Sequence, residues 1–380
     1  MASVPRAATD TTLAAPLYPA VRGGLSGLLE MLLDARTPGA GCVLGIVFAT
    51  AGSTYQKPGA LILLDRMGMR HGALSGGCLE PEVEERARRV SDNRCAEVID
   101  FDTRSDEDLL FGSGTGCRGR IHLLLLPQPP DAPLTEALER LASSAGPLEL
   151  ALVVEGPATG SGSATLIGET WQWGRDGQRV PLPNSGPMSW PTPGPTSGSN
   201  PRAITRSISR SGAVESDPLL ARVNVNAPPR ILLFGAGPET SALYQFVQRL
   251  GWSVSLVEHR GRWLKFAHSA GVRDIIEAAP DDAAVLWRSQ HATAAVAMTH
   301  NYALDMKHLR ECADSDLSYI GLLGPAARRD QMLAELGEEY AKRLGGRLHA
   351  PVGLALGGRG PEPLALAIAA ELQQHFAQQP

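Results

Sequence analysis

The 380-residue chain lacks the features that define several large classes of protein. Its five cysteines include no C-x-x-C pair, so it has neither the ligand spacing of a structural zinc site nor the cysteine density of a small secreted protein. The formal net charge of −5 provides no basic field for nucleic acid. No apolar run is long enough to span a bilayer. We therefore expect a cytoplasmic protein with reduced thiols, no membrane span and no nucleic acid partner.

The length of the chain predicts about two domains. Residues 185–200 are dense in Pro, Gly and Ser, and such a segment cannot bury enough apolar surface to offset its chain entropy. The predicted organisation is a disordered lead-in at 1–20, a first domain at 21–155, a Pro/Gly/Ser-rich insert and linker at 156–228, and a second domain at 229–380.

The first domain shows the mixed pattern of an α+β fold. Leucines at helical spacing predict a helix over 24–35, and Pro81 opens a second helix over 81–90. Short apolar runs predict strands at 42–49, 60–64, 97–101 and 120–126, with a hairpin reversal at 65–68. The tract at 50–59 could donate hydrogen bonds to a ligand, but we interpret it as a solvated connection.

In the second domain, strands alternate with helices. A strand is predicted over 231–234, and a helix over 241–250 leads to a second strand over 252–258. Further strands are predicted at 294–298 and 319–323. This alternation is typical of a parallel sheet with right-handed crossovers, and it predicts a Rossmann-like fold.

A glycine-rich turn, G-x-G-x-x-T, joins the first strand and helix of this second domain. Backbone N–H groups of such a turn can approach a phosphate, so Gly235 and Gly237 are candidate contacts for a phosphate-bearing ligand. Glu258 ends the next strand, where a Rossmann acid meets a ribose hydroxyl. The alternative is that the glycines only permit tight packing of strand and helix. Pro238 removes one backbone donor, which makes NAD less favoured than another nucleotide or a pterin.

Two glycine-rich segments of the first domain each contain a cysteine. Cys78 precedes the helix that opens at Pro81, and the dipole of a helix stabilises a thiolate near its N-terminus. Cys117 stands among four glycines and is flanked by Arg118 and Arg120, the composition of an anion-binding concavity beside a reactive sulfur. The alternative for each segment is a turn with a small buried cysteine. The other three cysteines lack such a setting and are interpreted as structural.

Polar residues also follow the strand that ends at Met298. Because side chains at the carboxyl end of a parallel strand face the ligand crevice, His300 is a further candidate contact. Asp305 is interpreted as a helix cap, and His308 is expected on a solvated helix face.

The order of these motifs is similar to that of a known family. The segments that carry the resemblance are Gly52-Ser53-Thr54, Ser75-Gly76-Gly77-Cys78-Leu79-Glu80, Gly116-Cys117-Arg118-Gly119, Phe234-Gly235-Ala236-Gly237, Met298-Thr299-His300 and His349-Ala350-Pro351-Val352-Gly353. Together they resemble the XdhC/CoxI family, accessory proteins for xanthine dehydrogenase and related molybdenum hydroxylases. The resemblance implies an α/β protein, in which an N-terminal α+β domain of the XdhC/CoxI type precedes a C-terminal Rossmann-like domain with a parallel sheet.

The family implies a chaperone for the molybdenum cofactor (molybdopterin) rather than an enzyme. Such a protein protects the cofactor, supports its sulfuration by a cysteine desulfurase, and inserts it into an apo-xanthine dehydrogenase or related molybdenum hydroxylase. Cys78 and Cys117 are then the candidate contacts to molybdenum or its sulfur. The residues expected to bind the cofactor are Gly76, Gly77, Cys78, Glu80, Gly116, Cys117, Arg118, Gly235, Gly237, Glu258 and His300. Two departures from the family pattern, Pro238 and Glu258-His259, lie in the predicted nucleotide pocket.

Two other functions are consistent with the sequence. An NAD(P)-dependent oxidoreductase would place Gly235, Gly237 and Glu258 on the dinucleotide and shape its substrate site with the first domain. A docking scaffold between desulfurase and dehydrogenase would leave the crevice empty. The apolar helix expected over 363–376 fits either a homodimer interface or ordinary core packing.

Overall fold

The computed structural model describes residues 22–35, 41–103, 119–129, 132–144, 146–155, 167–173, 179–182, 208–209, 219–282 and 291–378. Across these ranges, no helix combines the length and the apolar character needed to cross a membrane. The chain folds as two units. The first contains residues 28–140 and 147–226, and the second contains residues 227–380 with two short segments from the first half of the chain.

A five-stranded antiparallel sheet organises the first unit, in the order β3-β2-β1-β5-β4. Its strands are β1 (Cys42–Gly52), β2 (Leu61–Asp65), β3 (Arg70–His71), β4 (Glu97–Asp102) and β5 (Gly119–Gln128). The central strands β1 and β5 are apolar and buried on both faces for most of their length. Their register pairs Gly52 with Gly119, which brings the end of β1 to the start of β5.

The helix Glu80–Asn93 covers one face of this sheet. Pro81 lies in its first turn, as expected. The side chains that pack on the strands recur at helical spacing; they are Val83, Ala87 and Val90. The helix Gly24–Asp34 is formed as the leucine spacing predicts, and a further helix spans Pro133–Ala142.

A second antiparallel sheet of the first unit has the order β8-β7-β6-β10-β9. Its strands are β6 (Leu148–Glu155), β7 (Thr170–Trp173), β8 (Arg179–Pro181), β9 (Ile208–Ser209) and β10 (Leu219–Val225). The expected linker at 156–228 therefore needs correction, because its described parts are strands. In β10, Val223 and Val225 are buried while Arg222 and Asn224 are exposed, and this alternation suits a strand with one covered face.

The second unit contains a six-stranded parallel sheet in the order β13-β12-β11-β14-β15-β16. Its strands are β11 (Arg230–Phe234), β12 (Ser253–Glu258), β13 (Ile275–Glu277), β14 (Ala294–Ala297), β15 (Tyr319–Leu322) and β16 (Leu348–His349). The Rossmann-like prediction is confirmed. The strand order reverses between β11 and β14, and the helices that follow these two strands pack on opposite faces of the sheet. This is the switch point at which Rossmann folds have their crevice, at the carboxyl edge of the sheet.

Helices cover both faces of the parallel sheet. They are Thr240–Arg249, Gly261–Ser269, Tyr302–Ala313, Ala326–Leu336, Glu338–Leu344 and Pro361–Ala377. Adjacent residues of β11 point to opposite faces, so Leu233 belongs to one core and Leu232 to the other. The C-terminal helix buries Ile368 and Leu372 in the core that contains Leu233, so this apolar face is used in core packing. A homodimer stays a prediction.

His308 lies elsewhere than expected. It is buried rather than solvated, and its ring stacks on Phe234 with 4.2 Å between centroids. Burial lowers the pKa of His308 to about 4, and the electrostatic effects of His259 and Arg260 contribute in the same direction. His308 is therefore a neutral aromatic member of the core at physiological pH.

Candidate functional site

A cavity of about 430 Å³ lies beside Cys78 at one end of the first sheet. The turn after β1, the segment before the helix Glu80–Asn93, and the facing ends of β4 and β5 line this cavity. The lining includes Ser53, Thr54, Ser75, Cys78, Phe101 and Thr103. The walls thus combine a thiol and several hydroxyl groups with an apolar surface. Two motifs that are far apart in the sequence, at 52–54 and 75–80, meet at this one cavity.

Glu80 and Ser75 hold the segment 74–79 in its shape. The buried Glu80 carboxylate accepts hydrogen bonds from the N–H of Leu74 (3.0 Å), the N–H of Ser75 (2.9 Å) and the Ser75 hydroxyl (2.5 Å). The Ser75 hydroxyl oxygen accepts in turn from the N–H groups of Gly77 and Leu79. The carboxylate is therefore engaged within the segment that carries the thiol, and a direct contact between Glu80 and a cofactor stays a prediction.

The surroundings of Glu80 favour its ionised form. Burial raises the pKa of the Glu80 carboxyl group, but the hydrogen bonds from Ser75 and Leu74 lower it by more, so the net pKa lies below the ordinary 4.5. Hydrogen bonds to a charged acceptor are stronger than neutral ones. The segment 74–79 is consequently held most firmly while Glu80 is ionised.

Cys78 is the partly exposed thiol of the cavity. It follows Gly77, whose φ of 113° suits glycine and strains other residues. A Cβ atom on Gly76 or Gly77 would meet no atom within 4 Å, so the two glycines leave open space beside the thiol. Cys42 contrasts with Cys78, because burial, with a smaller contribution from Asp65, raises the pKa of its thiol to about 12. The structural interpretation of Cys42 agrees with this environment.

The second cysteine-bearing loop lies outside the described residues, with the predicted contacts Gly116, Cys117 and Arg118. The residues on either side of it line the cavity: the N–H of Thr103 donates to the Gly119 carbonyl (2.9 Å), and the N–H of Gly119 donates to the Thr103 hydroxyl (3.2 Å). A Cβ atom on Gly119 would lie 2.2 Å from the Ser53 carbonyl oxygen, so only glycine permits this approach. The described residues on both sides of this loop, Thr103 and Gly119, therefore lie together in the wall of the cavity.

The turn after β1 is more than the solvated connection we expected. Ser53, Thr54 and Tyr55 line the cavity. Gln56 Nε2 donates to the carbonyl of Ala73 at 2.7 Å and so ties this turn to the cysteine-bearing segment. The signal in the sequence is a run of small polar residues directly after a long buried strand, where ligand contacts concentrate.

In the second unit, the glycine-rich turn at the crevice is hydrogen-bonded internally. The N–H groups of Gly235, Ala236 and Gly237 donate, respectively, to the Val257 carbonyl (2.9 Å), the Glu258 carboxylate (2.9 Å) and the Thr240 hydroxyl (2.8 Å). Gly235 has a φ of 88°, and a Cβ atom there would lie 2.5 Å from Thr299 Cα. The first glycine therefore permits the close approach of the loops after β11 and β14.

Glu258 is buried and accepts several hydrogen bonds. Its carboxylate accepts from the N–H groups of Ala236, His259 and Arg260, and from the Arg260 guanidinium at 2.6 Å. Burial raises the pKa of Glu258, but the hydrogen bonds of Arg260 and Ala236 outweigh it and bring the pKa to about 2. The side chain closes the turn in this structure, and its contact with a ribose stays a prediction.

His300 follows β14 with a φ of 54°, which is uncommon for a residue other than glycine. Its Nε2 atom lies 2.8 Å from Oε1 of the buried Glu239. This hydrogen bond raises the pKa of His300, against a smaller opposing effect of burial. The structure also brings His300 to the second glycine, because a Cβ atom on Gly237 would lie 2.6 Å from His300 Nε2.

Sequence reasoning missed three charged residues of this crevice: Glu239, Arg260 and Arg328. Asp305, which we interpreted as a helix cap, is buried and pairs with the Arg328 guanidinium at 2.8 Å. The cap of the helix Tyr302–Ala313 is Asn301, whose side chain accepts from a backbone N–H of the first turn. Glu239 and Arg260 could have been found from their positions, because each lies shortly after a strand of a parallel sheet.

Comparison with known proteins places both units in one family. A model of the XdhC and CoxI family matches residues 35–102, and a model of the XdhC Rossmann domain matches residues 231–372. A probable xanthine dehydrogenase subunit from Bacillus subtilis (strain 168) is 27% identical over 356 residues, which cover 93% of this chain and 97% of that protein. The crystal structure of a xanthine dehydrogenase from Bacillus halodurans matches with a TM-score of 0.68 and 25% identity, over 93% of this chain and 96% of that one. With one family model in each unit and relatives similar over nearly its whole length, this chain belongs to the XdhC and CoxI family.

Proposed function

We propose that this chain is a non-catalytic accessory protein of a xanthine dehydrogenase-type molybdenum hydroxylase. In this proposal it binds the molybdenum cofactor in the cavity beside Cys78, protects it, and delivers it to the apo-enzyme. The family and the names of the relatives support an association with xanthine dehydrogenase. The observation that carries the proposal is the cavity itself, in which a partly exposed thiol, hydroxyl groups and an apolar wall face the same space.

The thiol suits the metal end of the cofactor. Thiolate is a soft ligand that favours transition metals and their sulfur chemistry. Within the described residues, no cluster of three or more His, Cys, Asp or Glu side chains could hold a metal ion. In this proposal Cys78 supplies a thiol contact beside the dithiolene of the cofactor, and Cys117, outside the described residues, stays a predicted second contact. So small a number of protein contacts suits a carrier, because the cofactor has to be released again.

The rest of the cavity suits the organic part of the cofactor. Leu74, Phe101 and Ile121 form an apolar wall that can cover a flat pterin ring, while Ser53 and Thr54 offer hydroxyl groups to its polar edge. A volume of about 430 Å³ lies within the usual range of small-molecule sites. The cofactor also carries a phosphate, for which Arg118 stays the predicted partner.

The segment 74–79 would orient the thiol and leave it accessible. Glu80 and Ser75 fix its backbone, so Cys78 is positioned before any ligand arrives. In this proposal a cysteine desulfurase donates sulfur to the bound cofactor from the side of Gly76 and Gly77, which carry no side chain to cover the thiol. When bound, the cofactor supplies the redox and sulfur chemistry, and the protein holds and shields it.

Retention of molybdopterin by the purified full-length chain tests this proposal. The protein is incubated with molybdopterin under anaerobic conditions and passed over a sizing column, and the pterin that co-elutes is quantified by fluorescence after oxidation. We expect the wild type to retain the cofactor and Cys78→Ser to retain it about tenfold less tightly, which corresponds to about 1.4 kcal/mol.

Cys95→Ser is the matched control, because Cys95 is also a partly exposed cysteine but lies outside the cavity lining. It should retain the cofactor as the wild type does. Equal retention by wild type and Cys78→Ser would remove the thiol from the proposal. No retention by the wild type would overturn the proposal as a whole.

A further inference from the structure

The crevice of the second unit occupies the position at which Rossmann folds bind a dinucleotide, but the first three backbone N–H groups of its turn are already engaged within the protein. The three N–H groups from Gly235 to Gly237 are all engaged by acceptors of the same unit. Pro238 has no N–H group. A dinucleotide pyrophosphate binds to backbone N–H groups at this turn, so it would have to displace the Glu258 carboxylate or the Thr240 hydroxyl first.

The space beside the second glycine of the turn, Gly237, is also occupied by protein side chains. In a dinucleotide site, this glycine lets the backbone approach the pyrophosphate. Here a Cβ atom on Gly237 would lie 2.6 Å from Glu239 Oε1 and 2.6 Å from His300 Nε2. Glu239 is the N-cap residue of the helix Thr240–Arg249, so a carboxylate stands where the phosphates of a dinucleotide would stand. The turn therefore does not fit NAD or NADP.

The crevice instead presents cationic side chains to solvent. Three ion pairs surround the loop after β14, at 2.8 Å for His300–Glu239, 2.6 Å for Arg260–Glu258 and 2.8 Å for Arg328–Asp305. In each pair the carboxylate is buried and its partner is more exposed. The three carboxylate side chains are at most 3% exposed, whereas the exposed fractions of the other side chains are 46% for His300, 25% for Arg260 and 20% for Arg328.

One residue links the three pairs. The Thr299 carbonyl accepts a hydrogen bond from Arg260 Nη1 at 2.8 Å, and the N–H and hydroxyl of Thr299 donate to Asp305. His300 is the next residue, and Arg328 is close enough to affect its titration. The three side chains are therefore held around one short loop, each by a hydrogen bond to a buried carboxylate.

We propose that this crevice binds a single oxyanion of the phosphate-monoester type on His300, Arg260 and Arg328, and that it does not bind a dinucleotide. His300 makes the main contact, through the ring nitrogen Nδ1, because Nε2 is held by Glu239. Glu239 acts as a positioning residue for His300, as Glu258 does for Arg260 and Asp305 for Arg328. This inference concerns the second unit and is independent of the cofactor proposed for the first.

Histidine NMR of the full-length chain tests the inference, with inorganic phosphate and NAD⁺ as the probes. The ring signals are followed at constant ionic strength, and the His300 signal is assigned by its loss in His300→Asn, a substitution that keeps a side chain compatible with positive φ. We expect phosphate in the millimolar range to shift the His300 signal in a saturable way. The exposed His268 should not respond.

A titration with NAD⁺ tests the statement that the crevice does not bind a dinucleotide. We expect NAD⁺ to bind at least about tenfold more weakly than phosphate, a difference of about 1.4 kcal/mol. NAD⁺ binding as tight as that of phosphate would overturn the inference, and so would a His300 signal that ignores phosphate. Cys78→Ser should leave the phosphate response unchanged, so failure here is distinguishable from failure of the cofactor proposal.

Discussion

Replacing Glu80 with glutamine is expected to loosen the segment that carries Cys78 while leaving the fold of the first unit intact. The carboxylate accepts three hydrogen bonds, two of them on Oε1 and one from the Ser75 hydroxyl on Oε2. Glutamine keeps an oxygen for the first two but places an NH₂ group opposite a hydroxyl that already accepts two N–H groups. One charge-assisted bond is then lost and two others become neutral, which costs about 2 kcal/mol.

Amide hydrogen exchange of the peptide over 74–79 measures this effect. A loss of about 2 kcal/mol corresponds to roughly 30-fold faster exchange of the amides of Leu74 and Ser75, if they exchange by local opening. Glu82→Gln is the control, because Glu82 lies on the same helix but its side chain is half exposed and pairs only with Arg86. Its exchange at 74–79 should match that of the wild type.

The pH dependence of the difference provides a second check. Because the pKa of Glu80 in the folded protein lies below the ordinary 4.5, its contribution to stability is complete above that value and is lost as the pH falls through the folded pKa. The wild type and Glu80→Gln should therefore converge in acid, after correction for intrinsic exchange rates. Equal exchange of the two proteins at neutral pH would refute the role assigned to Glu80.

Two further predictions concern the second unit. Gly235→Ala should lower the free energy of unfolding of this unit by about 3 kcal/mol or more, because alanine is strained at a φ of 88° and its Cβ atom would lie 2.5 Å from Thr299 Cα. Thermal melting measures this loss. Gly261→Ala is the control and should melt as the wild type does, because a Cβ atom at Gly261 would meet no atom within 4 Å. Burial lowers the pKa of His308 from 6.5 to about 4. The stability that neutral His308 contributes is therefore present at neutral pH and is lost as the pH falls between these two values, so the free energy of unfolding should drop by about 2 kcal/mol at pH ~5. Denaturant unfolding of His308→Phe, which keeps the stack on Phe234, should lose less stability on acidification, and an equal loss would contradict the assignment.

The regular elements of the second unit could be predicted because their signals are local. The strand over 231–234 and the helix after it follow from apolar periodicity and the glycines between them, and the structure has them at Arg230–Phe234 and Thr240–Arg249. By contrast, β10 could not be separated from its surroundings. It pairs with β6, more than 60 residues away, and the composition of the intervening chain favours a linker.

The use of individual side chains was harder to predict than their location. Glu258 ends its strand as predicted. Its carboxylate is directed to the turn by hydrogen bonds from Arg260 and Ala236, and a single sequence has no pattern that predicts this orientation. His308 was placed on a solvated face from its polarity, yet stacking on Phe234 offsets its desolvation once it is neutral. The meeting of the turn after β1 with the segment 74–79 depends on the registers of β1 with β2 and of β2 with β3, which are set by the whole sheet.

The pairing of Thr103 with Gly119 has a consequence for how relatives of this protein could diversify. Hydrogen bonds of 2.9 and 3.2 Å join these two residues, so the positions at which the segment 104–118 begins and ends are fixed to each other. Lengthening a segment between two fixed ends costs little, about 0.6 kcal/mol for each doubling of its length. Relatives could therefore differ in the length and composition of this segment while Thr103 and Gly119 keep their places in the wall of the cavity.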